Sequence, residues 1–169
     1  MSKLFLLSDE EAEKIPQEIL ACGDWWWLRS PTCRWLRSPS CCTKYAAYVN
    51  THGCMDDEDG LDIDDIACVR PAIHIKVGLF NSLDRTKKGY IKLGTKPNGK
   101  PVKWIDISEY IGRPCLLMKK PIARCRFDAE SNDYEKSEIK TRLAELDDIL
   151  FTDYEKSLFI EDWEVWKDE

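Results

Sequence analysis

The sequence has no long apolar run. Its apolar stretches, such as residues 4–7 and 25–28, are short, whereas a helix that crosses a bilayer needs about 20 apolar residues. Acidic residues follow the first stretch directly, at positions 9–11, so the N-terminal segment does not have the pattern of a secretory leader. We therefore expect a protein without membrane contact that is located in the cytoplasm.

Histidine is also scarce, with only His52 and His74 in the chain. His74 falls in an apolar stretch that is typical of a buried strand, which predicts a structural role. The order of residues does not indicate a Ser-His-Asp or Cys-His catalytic set, and the sequence contains no glycine-rich phosphate loop or dinucleotide fingerprint. The sequence therefore predicts a protein that is not an enzyme and that has no cofactor.

What the sequence does contain is enough apolar material for a packed core. Of its 169 residues, 43% are apolar and 33% are charged, and seven are Trp. This composition differs from that of disordered chains, which combine low hydrophobicity with high net charge. Because a chain of this length fits one domain of ordinary size, we expect a single domain over residues 1–169.

The net charge of −6 is the sum of three unlike segments. Residues 1–84 hold 8 basic and 14 acidic residues, residues 85–126 hold 12 and 2, and residues 127–169 hold 5 and 15. In the middle segment the basic residues alternate with apolar ones, which is typical of a sheet whose basic residues lie on its solvent-exposed face. Nucleic-acid binding by residues 85–126 is the alternative and is not favoured, so we expect the partner to be another protein.

The eight cysteines are expected to be mostly reduced, because no leader precedes them and Cys41 is adjacent to Cys42. Five residues of one loop-rich stretch provide enough ligands for zinc, namely Cys33, Cys41, Cys42, His52 and Cys54. Their spacing lacks the paired C-x₂₋₄-C knuckles of structural zinc sites. We therefore predict no metal, with this zinc set as the alternative.

Periodicity and turn residues predict a mixture of helices and strands. A capping box at Ser8 and Glu11 predicts a helix over residues 10–15. Apolar residues at helical spacing predict a helix of about five turns that starts at Asn132 and runs to Leu150, and a second capping box at Thr152 predicts a helix through Ile160. The predicted strands are residues 4–7, 45–50, 67–76, 89–93, 101–107, 113–119 and 122–127.

Three short motifs carry a resemblance to a known family. Residues 26–31 read Trp-Trp-Leu-Arg-Ser-Pro, residues 45–50 read Tyr-Ala-Ala-Tyr-Val-Asn, and residues 69–72 read Val-Arg-Pro-Ala. In this order they resemble the closing half of a domain family of unknown function, with a WWLRSP…VRPA signature, from gut Firmicutes and their phages. That family is similar to the formylglycine-generating-enzyme branch of the C-type-lectin-like fold.

The second half of the chain is similar to the opening half of the same family. The matching motifs include Gly-Tyr-Ile-Lys-Leu-Gly at residues 89–94 and Pro-Val-Lys-Trp at residues 101–104. The order of the halves implies a circular permutation, with residues 1–78 as the closing half, 79–88 as the join and 89–169 as the opening half. The resemblance thus implies an α+β, C-type-lectin-like, circularly permuted fold, with a mixed or antiparallel sheet and two or three helices.

The tryptophan motif has a physical interpretation that does not depend on the family. Neighbouring Trp rings bury large areas, so Trp27 is expected in the core. The guanidinium groups of Arg29 and Arg70 carry five N–H donors each and are expected to anchor loop carbonyls. The motif is repeated as Trp-Leu-Arg-Ser-Pro at residues 35–39, and we expect this second copy to be looped out and exposed.

The resemblance implies a binding module that recognises a protein or a small ligand through its loops. We place the binding surface on residues 32–43 and 52–65, with Trp35, Arg37, Lys44, Asp56, Asp57 and Asp59 as the predicted binding residues. Calcium binding by the acidic loop is a less favoured alternative, since the EF-hand template does not fit it.

The alternative function is a phage-encoded, anti-CRISPR-like inhibitor of a host defence nuclease, located in the host cytoplasm. It would act through the acidic residues of 56–65 and 127–169.

Overall fold

The structure, a computed structural model, describes residues 3–32, 43–55 and 60–160. Within these residues the chain forms five α-helices, ten β-strands and two 3₁₀ segments. The helices are α1 (Asp9–Glu13), α2 (Gln17–Leu20), α3 (Ser108–Ile111), α4 (Glu138–Leu150) and α5 (Asp153–Lys156), and the 3₁₀ segments are Val77–Ser82 and Tyr134–Lys136. The strands are β1 (Trp26–Thr32), β2 (Tyr45–Val49), β3 (Leu61–Asp62), β4 (Ala67–Val69), β5 (Ala72–Ile75), β6 (Ile91–Thr95), β7 (Pro101–Asp106), β8 (Cys115–Met118), β9 (Ala123–Cys125) and β10 (Phe159–Ile160). No helix of the described residues is both long and apolar enough to span a bilayer.

These elements group into two compact units, each built from separate stretches of the chain. The described residues of 1–5, 71–120 and 142–169 form the first unit, and those of 6–70 and 121–141 form the second. Each unit therefore takes residues from both halves, 1–78 and 89–169, that the family resemblance distinguishes. The single domain over residues 1–169 stays a prediction.

The first unit contains a five-stranded sheet of order β10-β5-β8-β7-β6, which is antiparallel throughout and curls into a half-barrel. Side chains alternate along β7, where Val102 and Trp104 are buried and Lys103 is exposed, as expected for a sheet with one solvated face. The Phe151 ring lies 6.3 Å from Trp104 and 4.7 Å from Phe159 between ring centroids. All three residues of this aromatic cluster are buried, so the cluster belongs to the core of the first unit.

The second unit contains a mixed five-stranded sheet of order β3-β2-β1-β4-β9. Its strands pair antiparallel except β1 and β4, which run parallel with Trp26 opposite Cys68. Trp26, Trp27 and Leu28 are fully buried, and the Trp27 ring meets Phe127 edge-on at 5.5 Å. The core position predicted for Trp27 is confirmed.

The helix predictions are confirmed in type and corrected in extent. α1 has the predicted capping box between Ser8 and Glu11. α4 begins at Glu138 rather than at Asn132, because the preceding residues form a 3₁₀ turn and the Asp128 carboxylate accepts the backbone N–H of Glu138. α5 has the predicted capping box at Thr152 but ends at Lys156, since Phe159–Ile160 pairs with β5 as β10. The single-turn helices α2 and α3 were not predicted, so the described residues hold five helices instead of two or three.

A single strand was predicted over residues 67–76, and this prediction is wrong because the segment forms two strands, β4 and β5. Proline has no backbone N–H and interrupts a ladder, and at Pro71 the chain leaves β4 in one sheet and enters β5 in the other. Residues 4–7 form no strand, although Phe5 makes a single antiparallel bridge to Ala72. The hairpin of β6 and β7 is confirmed, and β6 shares a sheet with β5, with β8 and β7 between them. The α+β class with mixed and antiparallel sheets is confirmed.

Candidate functional site

The predicted binding residues fall mostly on two segments that the structure does not describe, residues 33–42 and 56–59. Lys44 is the described member of the set, and the others lie outside the described residues, namely Trp35, Arg37, Asp56, Asp57 and Asp59. The exposure predicted for Trp35 and Arg37 therefore stays a prediction. The described residues do fix where both segments begin and end.

The second unit brings both borders of the first segment close to the C-terminal border of the second, whereas Met55, before the second segment, pairs with Val49 at the other end of β2. Thr32, which precedes the first segment, pairs with Tyr45 at the start of β2, and Tyr45 pairs with Asp62 in β3. Gly60, which follows the second segment, has φ +62, and a Cβ on it would overlap the Thr32 hydroxyl. Thr32 Oγ1 is buried and has no hydrogen-bond partner among the described residues. The end of β1 and the start of β3 thus lie on either side of the start of β2, at one edge of the sheet.

Lys44 is held at the same edge by contacts with a distant turn. Its Nζ donates to the carbonyl oxygen of Glu130 at 2.9 Å, and its own carbonyl accepts the N–H of Ile63 at 3.0 Å. The side-chain amide of Asn132 donates to the carbonyl of Tyr45, which follows Lys44 in the chain, at 2.8 Å. The Lys44 ammonium is exposed and retains further donors, so it can bind a partner while it remains in contact with the turn.

Asp128 organises the turn that receives Lys44. Its Oδ2 accepts the N–H groups of Glu130 and Ser131 at 3.1 and 3.0 Å, and its Oδ1 accepts that of Glu138 at 3.1 Å. Burial acts to raise the pKa of the Asp128 carboxyl, but these backbone donors outweigh it and lower the pKa below the usual value of 3.8. The Asp128 carboxylate thus connects the N-terminus of α4 with the turn beneath Lys44.

Arg29, from the first copy of the tryptophan motif, and Arg70, from the Val-Arg-Pro-Ala motif, are structural anchors, as predicted. Arg29 Nη1 donates to the carbonyl of Leu6 at 2.7 Å and to Glu11 Oε1 at 2.6 Å. Arg70 Nη1 donates to the carbonyl of Leu20 at 3.0 Å, and its guanidinium lies 5.0 Å from the centre of the Trp26 ring. Burial lowers the pKa of Arg70 to about 10.

Three of the five residues of the alternative zinc set lie outside the described residues, namely Cys33, Cys41 and Cys42. His52 and Cys54 are described, and both follow the opposite end of β2 from Thr32, in a turn where Asn50 Oδ1 accepts their N–H groups. No group of three or more potential metal ligands occurs among the described residues. The described cysteines form no disulfide with one another, namely Cys22, Cys54, Cys68, Cys115 and Cys125.

A second feature, in the first unit, is a group of six lysines that we call the lysine face. It consists of Lys92, Lys96, Lys100, Lys103, Lys119 and Lys120. The last five line an open cavity of about 290 Å³ at the end of the β6–β7 hairpin, together with Pro101, Val102 and Met118. The sequence predicted a solvated basic sheet surface here, and the alternation in β7 confirms it, but the cavity was not predicted.

Fold and site together define a mixed α+β protein in which the first predicted binding segment starts and ends close to Gly60 of the second, at one edge of a sheet. Comparisons with protein-family models, with curated proteins and with solved structures find no match to this chain.

Proposed function

We propose that this protein is a non-enzymatic binding module that recognises a partner protein through residues 32–43 and 52–65. The observation that carries the proposal is the pairing of Thr32 with Tyr45 and of Tyr45 with Asp62, together with the close approach of Gly60 to Thr32. These contacts put both borders of the first segment and the part of the second segment from Gly60 to Asp62 at one edge of a sheet. Loops positioned by a rigid scaffold are a frequent location of binding sites.

The residue types on these segments fit a protein partner. Trp35 and Arg37 belong to the types enriched at interface hot spots, and Asp56, Asp57 and Asp59 provide charge that steers a basic partner. The Thr32 hydroxyl, which lacks a partner among the described residues, is a further polar group at this edge.

We further propose that the fold is a circularly permuted member of the C-type-lectin-like class. Two observations support this: the α+β architecture with two sheets, and the anchoring of Arg70, from the Val-Arg-Pro-Ala motif, on the carbonyl of Leu20. A binding module of that class, from a gut bacterium or its phage, would use variable loops on a conserved core.

Trp35→Ala and Trp27→Ala test the proposed surface. Trp35→Ala should leave the free energy of unfolding within about 1 kcal/mol of wild type, as surface changes usually do, yet weaken capture of the partner. Trp27 is fully buried and its Nε1 donates to the carbonyl of Cys125 at 2.9 Å, so Trp27→Ala should cost about 3–5 kcal/mol. The measurements are urea denaturation, and affinity capture followed by mass spectrometry.

The control for capture is Lys136→Ala, an exposed residue of the second unit outside both segments. Equal destabilisation by Trp35→Ala and Trp27→Ala would place the second motif copy in the core and overturn the proposed surface. Capture of a host nuclease that is lost in the triple variant D56N/D57N/D59N would instead support the inhibitor alternative.

A further inference from the structure

We propose that the first unit binds nucleic acid without sequence preference, through phosphate contacts on the lysine face. This inference is independent of the proposed protein-binding segments, which belong to the second unit. It rests on the placement of the lysines in the sheet, on the absence of ion pairs for five of them within the described residues, and on the absence of highly exposed large apolar side chains from the described lining of the cavity.

The sheet register places the lysines together on one surface. Lys92 in β6 lies directly opposite Lys103 in β7, and residues paired in this way project to the same face. The backbone N–H of Lys119 donates to the carbonyl of Lys103 at 2.9 Å, which continues the row onto the end of β8. Lys96 and Lys100 bracket the hairpin turn, where the N–H of Lys96 donates to the carbonyl of Lys100 at 2.8 Å.

Five of these lysines have no carboxylate partner within the described residues, whereas several basic residues elsewhere in the chain do. Arg126 pairs with Glu138, Lys140 with Glu135 and Lys156 with Asp148. In contrast, Lys92, Lys96, Lys100, Lys103 and Lys120 form no ion pair within the described part of the chain. Like charges directly opposite each other destabilise a sheet, and a bound polyanion relieves that repulsion.

The Lys119 ammonium is oriented by an aromatic ring. Its Nζ lies 4.1 Å from the centre of the Tyr90 ring, within the range of a cation–π contact. Lys119 is half-buried, whereas Lys103 and Lys120 on either side of it are exposed. The face therefore combines one oriented cation with several more exposed ones.

The chemistry of the face fits a phosphate backbone better than an acidic protein surface. Lysine is a flexible point charge that binds phosphate, whereas the planar fork of arginine matches carboxylates in two-point contacts. Protein interfaces depend on buried aromatic or arginine anchors, yet none of the exposed large apolar side chains of the described residues lines this cavity, namely Trp25, Ile66, Val77, Ile149 and Tyr154. Lysine contacts with phosphates fix the position of a protein on nucleic acid but do not distinguish one base sequence from another.

The test compares two charge-matched triple variants for binding of a fluorescent, mixed-sequence DNA duplex of about 20 base pairs. One variant is K96E/K100E/K103E on the lysine face. The control is K14E/K76E/K136E, which changes three exposed lysines that do not belong to the lysine face. Both change the net charge equally, so any difference between them reports the location of the charges.

We expect the lysine-face variant to raise the dissociation constant for DNA at least about tenfold more than the control does. Each phosphate contact contributes about 0.9 to the slope of log K against log salt, so losing three contacts should reduce that slope by about 2 to 3. A second duplex of unrelated sequence should bind equally well. If the glutamate variant has a lowered melting temperature, K96Q/K100Q/K103Q should still show the loss of affinity and of slope.

Three results would overturn the inference. They are the absence of DNA binding by the wild-type protein at low salt, equal weakening by the two triple variants, and tighter binding of poly-L-glutamate than of DNA. The last result would assign the lysine face to an acidic protein.

Discussion

Gly53 occupies a position where both its backbone conformation and its surroundings exclude a side chain. It has φ +81, in the left-handed region that favours glycine. A Cβ on it would also overlap the backbone carbonyl of Gln17 and lie 2.8 Å from the backbone nitrogen of Ala21. Because both contacts are backbone atoms, they cannot move aside as a flexible side chain would.

Gly53→Ala should therefore destabilise the protein more than the same change at Gly112. Gly112 has a similar φ of +87, but a methyl group added there would meet nothing within 4 Å, so Gly112→Ala should cost only the backbone strain, about 1–2 kcal/mol. Overpacking should add about 1–3 kcal/mol at Gly53. Urea denaturation of the two variants measures the difference, and equal losses would mean that the turn shifts freely to accommodate the methyl group.

Some residue roles at the site follow from the residue type alone, whereas others depend on contacts between residues that are far apart in the sequence. The roles of Trp27, Arg29 and Arg70 were predictable, because large aromatic rings and multi-donor guanidinium groups have few stable arrangements in a core. The contact of Lys44 with the carbonyl of Glu130 was not, because it joins residues that are 86 positions apart. No local pattern encodes such a contact.

For the helices, capping residues close together in sequence predicted that a helix forms. Contacts between residues farther apart determine the residue at which α4 begins. The capping boxes at Ser8 and Thr152 involve residues three positions apart, so the sequence shows them directly. The start of α4 depends instead on Asp128, ten residues upstream of Glu138. Asn132, which has the right residue type for a cap, donates to the carbonyl of Tyr45 instead.

Asp128→Asn should weaken the N-terminus of α4 and make stability less dependent on acid pH. Because the pKa of Asp128 is lowered in the folded state, its carboxylate stabilises the fold fully above the unfolded pKa, and this contribution is lost as pH falls through the folded pKa. Asparagine keeps one acceptor oxygen but lacks the charge. We expect a loss of about 1–2 kcal/mol near pH 7.

The measurement is urea denaturation near pH 7 and at a pH below the usual carboxyl range. The gap between the wild type and Asp128→Asn should narrow in acid, because only the wild type loses the carboxylate. Asp65→Asn, which changes an exposed carboxylate of the same unit, serves as the control. A gap that stays constant with pH would show that the lost geometry, not the charge, causes the destabilisation.

At the scale of the whole molecule, the two units do not correspond to contiguous pieces of sequence. Residues 1–78 lack β9, which pairs with β4, and Phe127, which packs on Trp27. Residues 89–169 lack β5, which lies between β10 and β8. Each piece is therefore missing a part of a sheet that it would need.

Separately produced pieces 1–78 and 89–169 should each lack a cooperative fold, and mixing them should restore it. The incomplete sheets would leave unpaired strand edges and exposed apolar surface. Near-UV circular dichroism, which reports fixed packing around Trp27 and Trp104, measures the outcome. A cooperative thermal transition of either piece alone would contradict this prediction and show that half of the chain is a folding unit.

The chain crosses from one unit to the other four times, at residues 5–6, 70–71, 120–121 and 141–142. These crossings determine when each unit has all of its residues during synthesis. Trp26 and Trp27 leave the ribosome early, but β9 follows about 100 residues later, about 5–20 s at usual translation rates. During that interval two indole rings lack part of their final surroundings. The nascent chain should therefore be a substrate for chaperones that shield apolar segments until synthesis is nearly finished.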